Sequence, residues 1–370
     1  MNKRRIAITV VLTAALGGLV YSQVRTWRHF DWTHFWEQTR GVNPPLLLGA
    51  VCAIYLTYVL RAIRWKVFLR PVANLSWRRL VAPTIIGFTG LALLGRPGEF
   101  MRPYLIARKE GLTVTSQLGV WTVERIFDLG AFTILLALDI LISRQLHQLQ
   151  YFGSIHAAGY ALIALTLGLA AFAIVMWRWG VTIADALCRL VTPISQAAGH
   201  QIGHKLRHFS IGLHTIRDAR SFLEALGLSL LIWFVIALSY LSVTRAYPPA
   251  HDAQVRAAHH VLPSQMQISH IFPLLASSMA GSIVQLPAVG GGSQLAVISV
   301  LVWVYQVPNE LAVSCGILLW LVTFMACVPV GLVLARREHV SLRKLPEEER
   351  EEERREETQE MNRRRQQIAP

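Results

Sequence analysis

The stretch LGRPGEFMRPYLIARKEG, residues 94 to 111, interrupts a sequence that otherwise reads as membrane helix. It contains three arginines, one lysine, two glutamates and two prolines, and it follows directly on an apolar run. Proline and glycine break helices, and charged side chains are costly inside a bilayer. The stretch therefore predicts a helix break between segments that are predicted to be membrane helices. The fold depends on where this break lies in the membrane.

The composition predicts an integral membrane protein. Hydrophobic residues make up 53% of the 370 positions and only 16% are charged, which excludes an ordinary soluble domain. Nine of the 22 carboxylates lie in 347–360, so the rest of the chain is more basic than the total of +14 indicates. Such a cation excess on a membrane body favours anionic lipid, and not nucleic acid, as the partner.

Apolar stretches long enough to cross about 30 Å of hydrocarbon predict an all-α polytopic protein with six full transmembrane helices. Three further apolar runs are too short to cross, and each borders a Gly/Pro break. The first span has a basic start and no clear cleavage site, which favours an uncleaved signal anchor over the alternative, a signal peptide. The six spans are 5–22, 44–63, 122–142, 157–177, 222–243 and 311–335, and the short runs are 81–94, 272–287 and 293–306.

The positions of lysine and arginine decide how the short runs are placed, because these residues concentrate on the cytoplasmic side. If 81–107 and 272–306 each enter and leave by one face, the basic segment 178–221 and most other cations fall inside. If the first insertion crossed fully, every later loop would invert and 178–221 would be exported. The sequence thus predicts two re-entrant helical hairpins in a bacterial-type inner membrane, with both termini cytoplasmic.

The two hairpins also predict an inverted repeat within a membrane domain of residues 1–340. The first hairpin lies in a unit of 44–142 and dips from the cytoplasm, whereas the second lies in a unit of 222–335 and dips from the exterior. Discontinuous helices that meet near the midplane are typical of transporters. Segment 187–220 is predicted to be an amphipathic helix on the inner leaflet, and 341–370 a disordered or solvated charged tail.

Charged residues flank the first break. Backbone that leaves the helix inside a membrane is tolerated where it is buried in protein or lines a wet cavity, so the break at Gly95 should mark the tip of a hairpin. Arg96 lies just after it, and Glu99 and Arg102, three residues apart, are predicted to pair. An ordinary cytoplasmic loop, with arginines that contact lipid phosphates, is the alternative.

A second charged group lies in the run WTVERIFDLGAFTILLALDIL. Only 14 residues separate Asp128 from Ser143, too few to span, so the helix is predicted to start near Thr122 and to draw Glu124, Arg125 and Asp128 below the membrane surface. Ionisable groups at such depth mark a functional site by default.

Glu124 and Asp128 share a helical face and would repel each other unless cations compensate them, with Arg96 or Arg102 as candidates. A structural ion-pair lock is the alternative to a functional site. Arg61 and Arg64, followed by an interfacial Trp65, are predicted to end the second span. This pattern suits both positive-inside anchoring and phosphate capture.

The second hairpin contains a glycine run, Gly290, Gly291 and Gly292. The run exposes backbone N–H groups, and a helix that begins at Ser293 or Gln294 points its positive end at the tip. Tight loop packing is the alternative. A P-loop is excluded, because neither the GK[ST] ending nor the flanking strand is present. The histidines at 200, 204 and 208 lack a completing ligand, so neither a metal nor a cofactor is predicted.

In their order and spacing, the motifs resemble the lysylphosphatidylglycerol synthase transmembrane-region family, also called the flippase-like domain, over about residues 5–337. The resemblance implies a membrane domain that moves charged lipids or lipid-linked sugars. Fused members add a soluble aminoacyl-transfer domain, whereas here a charged tail follows residue 340, so synthase activity is not implied. Many members carry a glutamate where this chain has Gln294. The motifs are Arg61-x-x-Arg64-Trp65, Gly95-Arg96-x-Gly98-Glu99-x-x-Arg102, Glu124-Arg125-x-x-Asp128, Lys205 to Leu213 with Ser229 and Trp233, and Pro287-x-x-Gly290-Gly291.

Three functions are compatible with these residues. The first is a lipid translocase without an enzymatic step, in which arginines bind an anionic headgroup, acidic and basic residues form a hydrated path, and the glycine run closes it. The second is a membrane-embedded transferase with Glu99 or Glu124 as base, and the third a noncatalytic partner of a glycosyltransferase or synthase. The headgroup residues are Arg61, Arg64, Arg96 and Arg102, and the path residues are Glu99, Glu124, Arg125, Asp128, Gly290, Gly291, Gly292 and Gln294.

Overall fold

The computed structural model describes four ranges of the chain and isolated helical residues between 160 and 183, and all regular elements in this part are helices. The described ranges are 31–142, 218–249, 261–282 and 291–338. Five predictions lie wholly or mostly outside the described residues: the span 5–22, the span 157–177, the amphipathic segment 187–220, the tail 341–370 and the role of Gly290.

Helices are numbered in chain order within these ranges. Their bounds are α1 Trp32–Arg40, α2 Pro44–Leu69, α3 Trp77–Leu94, α4 Met101–Glu110, α5 Val114–Ile142, α6 Ala219–Arg245, α7 Ile268–Gly281, α8 Gly292–Ser299, α9 Asn309–Trp320 and α10 Val328–Arg337. A 3-10 turn, Arg96–Phe100, joins α3 to α4. π-helical turns at Val300–Val304 and Leu321–Met325 extend α8 and join α9 to α10.

Local sequence sets several of these boundaries. Pro44 and Pro45 open α2, where a missing N–H costs nothing. The Asp218 side chain caps α6 by accepting a hydrogen bond from the Ser221 backbone, and hydrogen bonding to Ser221 lowers the pKa of Asp218. Gly111, with φ of 65°, ends α4 in the left-handed conformation that glycine adopts without strain.

Within the described ranges, three helical segments are long and apolar enough to cross a membrane: α2, α6 and the continuous segment 309–337. They correspond to the spans predicted at 44–63, 222–243 and 311–335. α5, with 29 residues, is also long enough at roughly 44 Å, although it carries four charged side chains. α7 and the segment Gly292–Val304 are shorter apolar helices, as the hairpin interpretation requires.

α3 and α4 form a hairpin, and we call α3, the 3-10 turn and α4 the first hairpin. α3 ends at Leu94, and the φ of 72° at Gly95 turns the chain back. Gly98 then lies against the backbone of Gly90 so closely that a side-chain carbon on Gly98 would overlap it. At the far end, Arg79 and Glu110 form an ion pair at 3.6 Å. The segment therefore returns to the face from which it started.

α7 and α8 form the second hairpin. The backbone carbonyl of Gly292 lies against Gly281, where any side chain would overlap it. At the opposite end, the Tyr305 hydroxyl donates to the His270 carbonyl at 2.9 Å, and the Val261 N–H donates to the Tyr305 carbonyl at 3.2 Å. α7 and the segment Gly292–Val304 therefore approach each other at both ends.

The inner ends of the two hairpins meet. Arg96, directly after α3, donates from Nε to the carbonyl of Ser282 at 3.1 Å and from Nη2 to the Ser282 hydroxyl at 3.5 Å. Ser282 directly follows α7. The two hairpins thus touch at a half-exposed polar contact.

Each hairpin packs against the last span of the other unit. Thr89 of the first hairpin donates to the carbonyl of Cys327 at 3.2 Å, just before α10. Phe272 of the second hairpin lies 6.5 Å, between ring centroids, from Phe132 of α5. The two first spans, α2 and α6, pack along each other. This exchange of partners is what two units related by a two-fold axis would show, although the inverted orientation itself stays a prediction.

The described helix ends define two faces of the molecule. Three ion pairs lie on one face: Arg70 with Glu224 at 2.6 Å, Arg79 with Glu110 at 3.6 Å, and Lys109 with Glu338 at 2.5 Å. On the opposite face, the Asn43 N–H donates to the Ala246 carbonyl at 2.8 Å and ties the start of α2 to the end of α6. Described cations at the helix ends favour the first face, with Arg70, Arg78, Arg79, Arg108, Lys109, Arg220, Arg336 and Arg337 there and Arg40 and Arg245 on the other.

We expect the flanks of each hairpin to be accessible from one side of the membrane. In a background without the four natural cysteines, Arg78→Cys and Lys109→Cys should both react with an impermeant maleimide from the cytoplasmic side. Gln265→Cys and Asn309→Cys should both react from outside. Labelling of the two members of either pair from opposite sides would contradict the re-entrant topology.

Candidate functional site

Charged side chains from three helices converge inside the molecule, and we call this group the ionic cluster. Its members are Arg61 and Arg64 from α2, Arg102 from α4, and Glu124, Arg125 and Asp128 from α5. The cluster lies deep, because Glu124 and Asp128 are roughly 15 and 21 Å along α5 from its start. Ions at such depth are stable only when they are paired or hydrated.

Arg64 is the centre of the cluster. It is fully buried, and its Nη1 donates to Asp128 Oδ1 and to the Ser229 hydroxyl, each at 2.6 Å. Its Nη2 donates to Glu124 Oε1 at 2.6 Å. One guanidinium group thereby fixes α2 against α5 and α6, so the contacts of Arg64 indicate a structural role.

Arg102 provides the main charge partner of Glu124 from the first hairpin. Its Nη1 donates to Glu124 Oε1 at 3.1 Å, and its Nη2 pairs with Glu124 Oε2. The guanidinium lies 4.2 Å from the centre of the Trp65 ring, a cation–π contact. Arg102 is therefore one of the predicted compensating cations, and it joins the hairpin to α5.

Several local predictions were wrong. Trp65 is not interfacial: it is fully buried, and its Nε1 donates to Gln117 Oε1 at 3.3 Å. α2 does not end near Arg64 but runs to Leu69, because carboxylates from α5 neutralise the charges that were expected to end it. α5 starts at Val114 and not near Thr122, since polar residues in its first turns are buried against α2.

The predicted pairing of Glu99 with Arg102 was also wrong. Glu99 accepts instead from Arg96 Nη1 at 2.8 Å. The 3-10 turn ends at Phe100, so Glu99 and Arg102 lie on different elements and lose the helical spacing that would bring them together. Arg96 begins the 3-10 turn at the tip of the hairpin. It pairs there with Glu99 and Ser282, and not with Glu124.

Asp128 receives three cations. Arg61 Nη1 donates to Asp128 Oδ2 at 3.2 Å, and Arg125 Nη2 lies 3.0 Å from the same oxygen. Together with Arg64, this places three guanidinium groups around one carboxylate. Arg61 also lies 5.1 Å from the centre of the Phe88 ring.

The cluster holds an excess of positive charge. Four arginines face two carboxylates, which leaves a net charge of +2. The surplus is not distributed evenly, because Arg64 and Arg102 are committed to buried partners, whereas the Arg125 side chain is 37% exposed. Arg125 Nε has no acceptor among the described residues. An anion that entered here would reduce the cost of the uncompensated charge.

A cavity of about 820 Å³ lies beside Arg61 and Arg125. Its polar end is formed by Arg61, Arg125 and Asp128 of the cluster and by Arg96 and Glu99 of the first hairpin. Most of its remaining wall is apolar and comes from α5, α6, the second hairpin and the segment 309–337. Examples of this apolar wall are Leu129, Leu136, Ile236, Val300 and Phe324. The cavity therefore matches a molecule with an anionic head and an apolar body.

The predicted site residues divide into three groups. Arg61, Arg96, Glu99, Arg125 and Asp128 line the cavity, whereas Arg64, Arg102 and Glu124 lie behind it. The third group, Gly291, Gly292 and Gln294, forms the start of α8, which begins one residue before the predicted start. This group packs in the second hairpin and does not line the cavity.

Sequence reasoning gave no role to several polar residues of the site. Ser229 and Trp233 were named only as motif positions, and Tyr240, Ser278 and Ser282 were not named. Tyr240 donates to the Ser278 hydroxyl at 3.2 Å, across from the cluster. The signal was present in α6, because Ser229, Trp233 and Tyr240 are four and seven residues apart and share one helical face.

Comparison with known proteins gives a family for the chain. A family model described as the lysylphosphatidylglycerol synthase TM region matches residues 6–331. The chain belongs to this family. The matched range includes the whole ionic cluster and both hairpins, and the family membership supports a membrane lipid-related function. No curated protein and no solved structure matches the chain.

We expect Glu124→Gln to destabilise the protein. It leaves Arg102 buried with a neutral partner and removes one of the two carboxylates that pair with Arg64, and breaking such a pair costs about 3–5 kcal/mol. The melting temperature of the purified protein in detergent should fall by several degrees. Glu224→Gln is the matched control, because Glu224 pairs with Arg70 and Arg220 at the solvent-accessible end of α6. Equal melting temperatures for the two variants would refute the stabilising role of the Glu124 ion pairs.

Proposed function

We propose that the protein is a lipid translocase that moves an anionic or otherwise charged phospholipid, or a lipid-linked saccharide, between leaflets. The proposal depends above all on the cavity, which joins a cationic end to apolar walls between two hairpins. A headgroup could be bound at the charged end while the acyl chains stay against the apolar wall and the bilayer. Neither a purely polar nor a purely apolar cavity would suit both parts of a lipid.

In this proposal Arg61 and Arg125 bind the headgroup phosphate. Both line the cavity, and both already share Asp128 as partner. A phosphate diester with one negative charge would reduce the surplus of +2 without reversing it. Asp128 limits the attraction, which allows the headgroup to leave again.

Arg96 connects the two hairpins through its hydrogen bonds. It pairs with Glu99 at 2.8 Å and with the Ser282 carbonyl at 3.1 Å, and its side chain is 47% exposed. Charge-assisted hydrogen bonds to a phosphate are stronger than those to a carbonyl. We infer that an arriving headgroup competes for Arg96, weakens the contact with Ser282 and lets the hairpins separate.

The proposed orientation places the cation-rich face in the cytoplasm of a bacterial-type inner membrane, by the positive-inside rule. The two units then have opposite orientations, and the hairpins approach the centre from opposite leaflets. The ionic cluster stays fixed while one unit moves against the other, which gives alternating access. A synthase or glycosyltransferase partner could supply the lipid at the cytoplasmic face.

We expect the purified protein to accelerate transfer of a fluorescent anionic phospholipid across reconstituted vesicles. Arg96→Ala should slow the initial rate about tenfold, because a hydrogen bond to a charged group contributes roughly 1.5–3 kcal/mol. Arg336→Ala is the control, since Arg336 is exposed at the end of α10, away from the cavity. Fluorescence quenching by an impermeant reductant measures the transfer.

Two outcomes would contradict this proposal. Equal effects of the two arginine variants would remove Arg96 from the path. A rate no higher than in protein-free vesicles would count against translocation altogether. Mass spectrometry of the recovered lipid separates the alternatives, because a transferase would leave a covalently altered headgroup.

A membrane potential should bias the distribution of an anionic lipid. Moving one charge through 100 mV is worth about 2.3 kcal/mol, so at equilibrium roughly fiftyfold more lipid should lie in the leaflet on the positive side. A zwitterionic lipid with the same acyl chains is the control and should stay evenly distributed. An even distribution of the anionic lipid under a maintained potential would show that no net charge crosses with it.

A further inference from the structure

Trp233 holds an open hydrogen-bond donor at the cavity. It lies on α6, lines the cavity, and is only 9% exposed. Its ring is held by Phe132, with 4.9 Å between ring centroids. The indole N–H is buried and has no acceptor among the described residues. A buried indole N–H normally finds a partner, so this donor requires an explanation.

Four hydroxyl donors around the cavity are satisfied by the protein itself. The acceptors are the Ser278 hydroxyl for Tyr240, the Leu274 carbonyl for Ser277, the Met279 carbonyl for Ser282 and the Ile54 carbonyl for Thr57. Trp233 differs from these four residues, because its side chain lines a lipid-sized cavity while its N–H has no acceptor among the described residues. A buried donor without a hydrogen-bond acceptor is costly, which favours an acceptor supplied by the ligand.

The position of Trp233 indicates the kind of acceptor. Trp233 follows Ser229 by four residues, about 6 Å along α6, and Ser229 accepts from Arg64 of the ionic cluster. Towards the apolar wall the lining includes Leu136 and Ile236. A second anion would be poorly stabilised here, whereas a neutral carbonyl suits both the donor and the wall. In a glycerophospholipid the ester carbonyls lie a few covalent bonds from the phosphate.

We propose that the Trp233 indole N–H binds an acyl ester carbonyl of a glycerophospholipid whose phosphate lies at Arg61 and Arg125. This inference rests on the proposed translocase function and narrows its substrate to ester-linked lipids. Ether-linked lipids offer a weaker acceptor, and polyprenyl phosphates carry no carbonyl. The first would pair the indole N–H only weakly and the second would leave it unpaired, and sites built around a hydrogen bond reject ligands that lack it.

The test compares two lipids that differ only in the linkage of their acyl chains. Vesicles containing the full chain receive an ester-linked or an ether-linked phosphatidylglycerol with the same fluorescent headgroup. We expect the protein to move the ester lipid about tenfold faster, as one hydrogen bond predicts. Trp233→Phe keeps a ring against Phe132 but removes the N–H, so the ester rate should fall to the ether rate while the ether rate stays unchanged.

Trp121→Phe is the matched control. Trp121 packs against Phe100, with 5.5 Å between ring centroids, and does not line the cavity. It should keep the tenfold preference. The preference of the unsubstituted protein is informative by itself, so the test does not depend on the folding of Trp233→Phe.

The outcomes separate the two proposals. Equal rates for both lipids with the unsubstituted protein would overturn the role of Trp233 and leave translocation intact. A tenfold preference that persists in Trp233→Phe would also overturn it. Absence of transfer for both lipids would overturn the proposed function, and the assignment of Trp233 with it.

Discussion

The buried guanidinium of Arg64 is the interaction on which the rest of the structure depends. It bonds to Glu124 and Asp128 of α5 and to Ser229 of α6, so three helices are fixed at one point away from water. Removing charges from water is costly, and the cost is offset only when every partner is in place. The buried charge pairs therefore help to set the register of these helices. Arg102 extends the same control to the first hairpin through Glu124.

The charge balance of the cluster also explains why an anion could still bind beside these structural ion pairs. If the cluster held equal numbers of arginines and carboxylates, its charges could all be satisfied internally. Because two carboxylates serve four arginines, the side chains nearest the cavity, Arg61 and Arg125, stay incompletely neutralised. The structural and functional interpretations of the buried ions are thus compatible, since they apply to different members of one network. The committed arginines hold the helices, and the surplus defines where an anion would be stabilised.

Much of the fold was predictable because it follows from length and from glycine and proline breaks. The pairing within the cluster was not, because it is long-range. Arg64 looked like the end of a span, and only the distant carboxylates Glu124 and Asp128 of α5 allow α2 to continue to Leu69. The expected contact of Glu99 with Arg102 failed since a 3-10 turn separates them, and periodicity cannot locate such a turn. Spacing predicts which side chains share a face, but it does not predict which distant helix meets that face.

The contrast between the cluster and the hairpin tips indicates where the molecule would move. The contacts of Arg64 are buried and charged on both sides, so breaking them would leave ions without partners. The contact of Arg96 with Ser282 is half-exposed and has a neutral acceptor, and such contacts contribute little. A separation of the units is therefore least costly at the tips, where Arg96 can exchange Ser282 for water or for a headgroup. Because the hairpins pack on opposite units, opening at the tips would expose the cavity while the cluster keeps its geometry.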